Sequence, residues 1–128
     1  PLVDLESLKL DSKGDIISIG QKVKKLEEIQ GQYIGLMKFS NKAVNILKDF
    51  YHECKKISEK KSNPLNANLP FEKSFMTDLL QGLINSNYQL HSVQIHGGWL
   101  ELDTVEDFET YQRMFRNNTI KKFITLEA

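Results

Sequence analysis

The chain has 128 residues, 40% apolar and 27% charged, the size and composition of a soluble domain able to bury a core of its own. Its 17 basic and 17 acidic residues cancel, so no net field recommends nucleic acid or a membrane surface as a partner. A lone cysteine, Cys54, excludes an internal disulfide and fits a reducing cytoplasm, no apolar run reaches membrane-spanning length, and nothing at the start reads as a signal peptide.

In chain order, residues 8–10 and 16–19 are predicted to form a hairpin around Asp11-Ser12-Lys13-Gly14, residue types that suit a tight turn. Residues 21–30 carry charge with scattered apolar positions (Val23, Leu26, Ile29) and read as a loop or weak helix. Residues 32–39 have large apolar groups on both faces, which predicts a central, buried strand. Ser40 is placed to cap a helix over 41–56, where Ala43, Ile46, Leu47, Phe50, Tyr51 and Cys54 recur with helical spacing. Cys54 lies on that stripe and reads as packing; His52 lies off it and reads as exposed. The basic run 55–61 reads as a solvated helix end, and the Pro- and Asn-rich stretch 62–70 as a loop with the composition of a lid.

A second helix is predicted over 73–85, with Gly82 a small cost to its propensity. Residues 89–96 alternate as a strand, Val93 and Ile95 inward, Ser92, Gln94 and His96 outward. A third helix over 105–116 is expected to pack through Phe108, Tyr111 and Phe115 before Asn117-Asn118 ends it. Residues 119–126 then form a short terminal helix or strand.

The densest chemistry lies where a short strand runs into that third helix. Alternation over 100–103 puts Leu100 and Leu102 on one face and the carboxylates Glu101 and Asp103 on the other. Thr104 followed by Asp107 reads as a capping box, which assigns Glu106 and Asp107 to helix stability. Asp103 precedes the cap. A carboxylate at the carboxyl end of a strand is where open α/β sheets bind ligands, and paired carboxylates suit a hard cation such as Mg²⁺. Trp99 suits either closure of a core or stacking on a base or a choline-like cation. Other chemistries lack their spacing: His91 and His96 are predicted on opposite strand faces, no zinc pattern exists, and no Gly-x-Ser-x-Gly occurs.

The string Trp99-Leu100-Glu101-Leu102-Asp103-Thr104-Val105-Glu106-Asp107-Phe108 resembles the C-terminal signature of the sugar-phosphate and phosphocholine nucleotidyltransferases. Three further pieces follow the family's order. Lys13-Gly14-Asp15-Ile16-Ile17-Ser18-Ile19-Gly20-Gln21-Lys22 resembles its hairpin, Tyr33-Ile34-Gly35-Leu36-Met37-Lys38-Phe39-Ser40 its acceptor-pocket strand, and Met76-Thr77-Asp78 the opening of its next helix. The resemblance implies an α/β fold, a mixed sheet flanked by helices, as part of a Rossmann-like nucleotidyltransferase. It implies that Asp103 is a ligand of the catalytic Mg²⁺, that Lys22 contacts the acceptor's phosphate, and that Tyr33, Trp99 and Glu101 line the pocket.

The family's glycine-rich nucleotide loop and its second metal aspartate have no counterpart in this sequence. The chain, taken as a single domain over 1–128, therefore reads as the C-terminal, acceptor-binding half of an enzyme whose N-terminal, nucleotide-binding half is absent. Its partners would be a nucleoside triphosphate and a small phosphorylated acceptor: phosphocholine, a phosphonate or a sugar phosphate. Phe75 stands where sugar-phosphate members usually place a glutamate, which tells against a plain hexose phosphate. Apolar faces left uncovered lead to the expectation of a cytoplasmic homo-oligomer. The reading from another class is a non-catalytic assembly module or inactive fragment.

Overall fold

The computed structural model describes residues 6–23, 25, 27 and 29–124. The chain is of the α/β class, with a two-stranded antiparallel sheet and three α-helices among the described residues, and divides into two compact units, Pro1–Ser92 and Val93–Ala128.

The first unit opens with strands β1 (Glu6–Leu10) and β2 (Ile16–Lys22). The turn between them forms as its residue types predict. The Asp11 carboxylate accepts the backbone N–H groups of Lys13 (2.8 Å) and Asp15 (2.9 Å), and Gly14 takes a φ of +85°. Those bonds favour the charged carboxylate and hold Asp11 below the usual range, the amide of Asp15 contributing most.

Helix α1 (Asn41–Ser58) begins at Ser40, whose hydroxyl accepts from the Ala43 amide at 3.3 Å, and runs two residues beyond the predicted end. A 3₁₀ turn (Phe71–Lys73) precedes α2 (Met76–Asn85), so the predicted second helix is broken at Ser74-Phe75. The break is stabilised at Asp78, whose carboxylate accepts the Phe75 amide at 2.8 Å. The core of this unit is Ile19, Cys54, Phe71, Leu79, Leu80 and Leu83, all buried. Gln81 reaches from α2 to accept the Ile19 amide at 2.8 Å, which satisfies a donor of β2. Gly82 is a packing requirement: a Cβ there would lie 2.8 Å from Leu65 and 3.2 Å from the Phe50 ring. Propensity alone had counted that glycine only as a loss.

The second unit holds α3 (Val105–Arg116) and a 3₁₀ turn (Ile120–Lys122). Ile120 is buried there, whereas no residue of α3 is. The glycine pair Gly97-Gly98, both at φ +74°, turns the chain so that the Gly98 amide reaches the carbonyl of Phe123 at 2.8 Å.

Three predicted strands do not form ladders. Residues 32–39 contain Gly35 at φ +78°, a left-handed turn that interrupts the run, and Leu36 is 72% exposed. In 89–96 only a bridge between Asp15 and His91 forms, anchored by Ile16 N–H donating to Leu90 O at 2.8 Å. Beyond it Val93 and Ile95 are exposed, against the inward placement predicted for them. Residues 100–103 have no ladder partner among the described residues, and Leu102 is exposed. A strand is defined by its neighbour, so an alternating pattern without one stays irregular. Phe108 and Phe115 are likewise exposed, against their predicted packing. Leu26, and Thr125 and Leu126 of the expected terminal element, lie outside the described residues.

Candidate functional site

Lys22 is the last residue of β2 and is exposed, opposite Glu6 in the ladder. Leu8 pairs with Ile19 but Glu6 pairs with Lys22, so β2 carries one residue more than β1 between them. Gly20, at φ +67°, supplies the left-handed residue of this bulge. A Cβ on Gly20 would fall 2.3 Å from Cβ of Thr77, so the N-terminus of α2 presses directly on the bulge. Ser7 Oγ accepts the Gln21 amide at 3.1 Å, which occupies a donor the bulge takes out of the ladder. Bulge and helix together set the direction in which the strand end presents Lys22. Tyr33, in the same unit, is half-buried, and burial pushes its phenol above the usual range.

The other three predicted site residues, Trp99, Glu101 and Asp103, belong to the second unit. Thr104 and Asp107 form the predicted capping box: Thr104 Oγ accepts the Asp107 amide at 3.1 Å, and Asp107 Oδ2 accepts the Thr104 amide at 2.9 Å. Thr104 Oγ also donates to that carboxylate oxygen at 2.7 Å, the main reason Asp107 is held below the usual carboxylate range. Asp107 Oδ2 accepts the Asp103 amide as well, at 3.2 Å, so the cap fixes the backbone of Asp103. The Asp103 carboxylate itself is exposed and takes no hydrogen bond among the described residues. Two residues further back, the Tyr111 hydroxyl donates to the Glu101 carbonyl at 2.6 Å, tying the segment to α3. Trp99 is 40% exposed and lies on the surface rather than in a core.

The capping role predicted for Asp107 therefore holds in the geometry. Asp107 is spent on the helix, and Asp103 is left with both oxygens available. Among the described residues no group of three or more His, Cys, Asp or Glu is gathered to hold a metal. One open carboxylate fits a Mg²⁺ whose other ligands are water and phosphate oxygens, which is how that ion is commonly held.

Elsewhere the structure commits residues to packing. The predicted loop, 62–70, is fastened by buried Asn63, whose amide donates to Leu69 O (3.1 Å) and Ser74 Oγ (2.7 Å). Burial, and secondarily the charge of Glu53, push the Cys54 thiol up, as suits a packing residue rather than a nucleophile. Sequence reasoning missed the pairing of His91 Nδ1 with buried Asp15 Oδ1, supported by Gln89 Nε2 donating to Asp15 Oδ2 at 3.3 Å. No local pattern signals it, because its members meet only when the hairpin turn folds back on residues 89–92.

Over most of its length the chain is similar to a cytidylyltransferase, which supports a cytidylyltransferase-like family for the matched residues. That relative is the CTP:phosphoglutamine cytidylyltransferase of Campylobacter jejuni, 38% identical over 109 residues, 85% of this chain. The chain spans about 40% of the length of that curated relative. No family model matches the sequence, and no solved structure matches it.

Proposed function

We propose that this chain is the C-terminal, acceptor-binding portion of a Rossmann-like nucleotidyltransferase that moves a cytidylyl group from CTP to a small phosphorylated acceptor. The observation that carries the reading is the 38% identity to a CTP-dependent cytidylyltransferase across nearly the whole chain. In the reaction an acceptor phosphate oxygen attacks the α-phosphorus of CTP, the bond to the β-phosphate oxygen breaks, and pyrophosphate leaves. The attacking group is already anionic, so the protein has to position it and neutralise charge rather than remove a proton.

Lys22 supplies a point charge for the acceptor phosphate, presented by a strand end that the Gly20 bulge holds in one direction. Asp103 offers its unengaged carboxylate to Mg²⁺ while its backbone is held by Asp107. That ion, when bound, neutralises the triphosphate and the charge developing on the leaving pyrophosphate. Tyr33, Trp99 and Glu101 are proposed for the acceptor pocket. The relative's name adds phosphoglutamine to the acceptors already considered (phosphocholine, a phosphonate or a sugar phosphate).

The test joins this chain to the part of the Campylobacter jejuni enzyme it does not match and follows pyrophosphate release from CTP, with phosphoglutamine and phosphocholine as acceptors. The expected result is release by the fusion and none by the isolated chain. Asp103→Asn should lower turnover by about 100-fold or more, the scale of losing a charge-stabilising group at a reacting phosphate. Release by the isolated chain, or an Asp103→Asn fusion with full turnover and unchanged Mg²⁺ dependence, would sink the assignment. A well-folded fusion without release points to the non-catalytic module.

A further inference from the structure

One face of α2 sits on the end of β2 through two residues a helical turn apart. Thr77 meets Gly20, where a Cβ would come within 2.3 Å of it, and Gln81 accepts the amide of Ile19 at 2.8 Å. The carbonyl of Ile19 accepts from Gln21 Nε2 at 3.1 Å. Both peptide groups of Ile19 are thus held by side chains, and Ile19 is only 1% exposed, which leaves water no access to replace either partner. The other end of the Gln81 amide donates to Asn85 Oδ1 at 3.0 Å, which turns its oxygen toward the strand. An apolar side chain at position 81 would leave the Ile19 donor buried and unpaired, and the strand regains a partner for it only by shifting.

This fixture stands immediately before the bulge. Leu8 pairs with Ile19 and Glu6 with Lys22, so three steps along β2 match two along β1. In a regular pleat residues three apart point to opposite faces; the extra residue brings Lys22 onto the face of Ile19. A bulge that closed or slid by one position would send the Lys22 side chain to the other face. We propose that Gln81 is a positioning residue for the transfer: through Ile19 it pins the register of the bulge and so holds Lys22 on the face where it meets the acceptor's phosphate. Gln81 acts through the strand backbone and not by contact with substrate. This inference rests on the nucleotidyltransferase reading, which gives Lys22 its partner.

Gln81→Met and Gln81→Glu test it, in the full chain and in its fusion to the unmatched part of the Campylobacter jejuni enzyme. Methionine keeps the length and removes the acceptor, whereas glutamate keeps an oxygen for the Ile19 amide. In the full chain, cross-strand nuclear Overhauser contacts between Glu6 and Lys22 report the register. They should be lost in Gln81→Met and kept in Gln81→Glu. In the fusion, with phosphoglutamine or phosphocholine as acceptor, Gln81→Met should raise the acceptor's KM by about 10-fold, the scale on which a misplaced binding group is felt. KM for CTP should stay within about twofold, and Gln81→Glu should restore most of the acceptor's KM. A merely structural loss lowers the folded fraction, which reduces apparent kcat and moves neither KM. In a Lys22→Ala background Gln81→Met should add nothing further, because the two residues act in one line. Should Gln81→Met fail to fold, Asn85→Ala, which frees the Gln81 amide to turn, should move the acceptor's KM in the same direction. Retained Glu6–Lys22 contacts in Gln81→Met, an unmoved acceptor KM in whichever variant folds, or an effect undiminished in the Lys22→Ala background each overturn the proposal. A fusion that releases no pyrophosphate sinks the functional reading instead, and there the loss or retention of the Glu6–Lys22 contacts still supports or overturns the pinning by Gln81.

Discussion

The first unit holds most of the buried apolar side chains, and the second holds the most informative sequence. Ile19, Leu79, Leu80 and Leu83 close the interior of the first unit, while α3 in the second has half-buried residues but no fully buried one. Yet the string from Trp99 to Phe108 carries the strongest resemblance to a known family and the candidate metal ligand. Stability and chemical information therefore reside in different parts of the chain.

The difference can be broken most directly by truncating one large apolar side chain in each unit. Leu80→Ala removes a nearly fully buried side chain and should destabilise the first unit by about 2–5 kcal/mol in denaturant unfolding, the usual range for a cavity of that kind. Gly20→Ala should rank next, at about 2–4 kcal/mol, because it forces a side chain into a left-handed φ and against Thr77. In the complete enzyme Gly20→Ala should also raise KM for the acceptor by shifting Lys22; an unchanged KM in a folded variant would detach the bulge from the site. Phe115→Ala, by contrast, removes a larger group from an exposed face and should stay within about 0.5 kcal/mol in the isolated chain. If Phe115→Ala proved as damaging as Leu80→Ala, the contrast between the units would be wrong.

What could be read from the sequence divides along a similar line, between local and distant causes. Ser40 at the start of α1, the Asp11 turn, and the Thr104–Asp107 box depend on residues within four positions of each other, and all formed as their chemistry predicts. Cys54 was legible because a helical stripe fixes which face is covered. The failures at 93–96 and 100–103 share one cause, while 32–39 is interrupted by the left-handed turn at Gly35. Alternation identifies a segment able to be a strand, but only a neighbour makes it one, and the described residues supply none. The Gly20 bulge, the close approach at Gly82 and the Asp15–His91 pair depend on contacts far apart in the chain, so no window of sequence contains them. Of the candidate site, the backbone setting of Asp103 was local and therefore readable. The direction given to Lys22 came from a helix some fifty residues later.

The smallest expected effect concerns pH and touches that local setting. Asp107 is held below the ordinary carboxylate range mainly by the Thr104 hydroxyl, then by the Thr104 amide. A folded value below the unfolded one means that the charged group stabilises the fold fully at neutral pH. This contribution is lost as pH falls through the folded value, in the acid range below about pH 4. The start of α3 should therefore fray in acid, seen as faster exchange of the Thr104 and Asp107 amides. Asp107→Asn should flatten that dependence without abolishing the helix, because a neutral amide oxygen can still accept the Thr104 amide. Asp11 provides the control in the first unit. It is lowered by the Asp15 and Lys13 amides, so acid should loosen the β1–β2 turn in the same window while the Leu80 amide stays protected. Acid fraying of α3 that persists undiminished in Asp107→Asn would assign the effect to another group and remove the cap as what holds the Asp103 backbone.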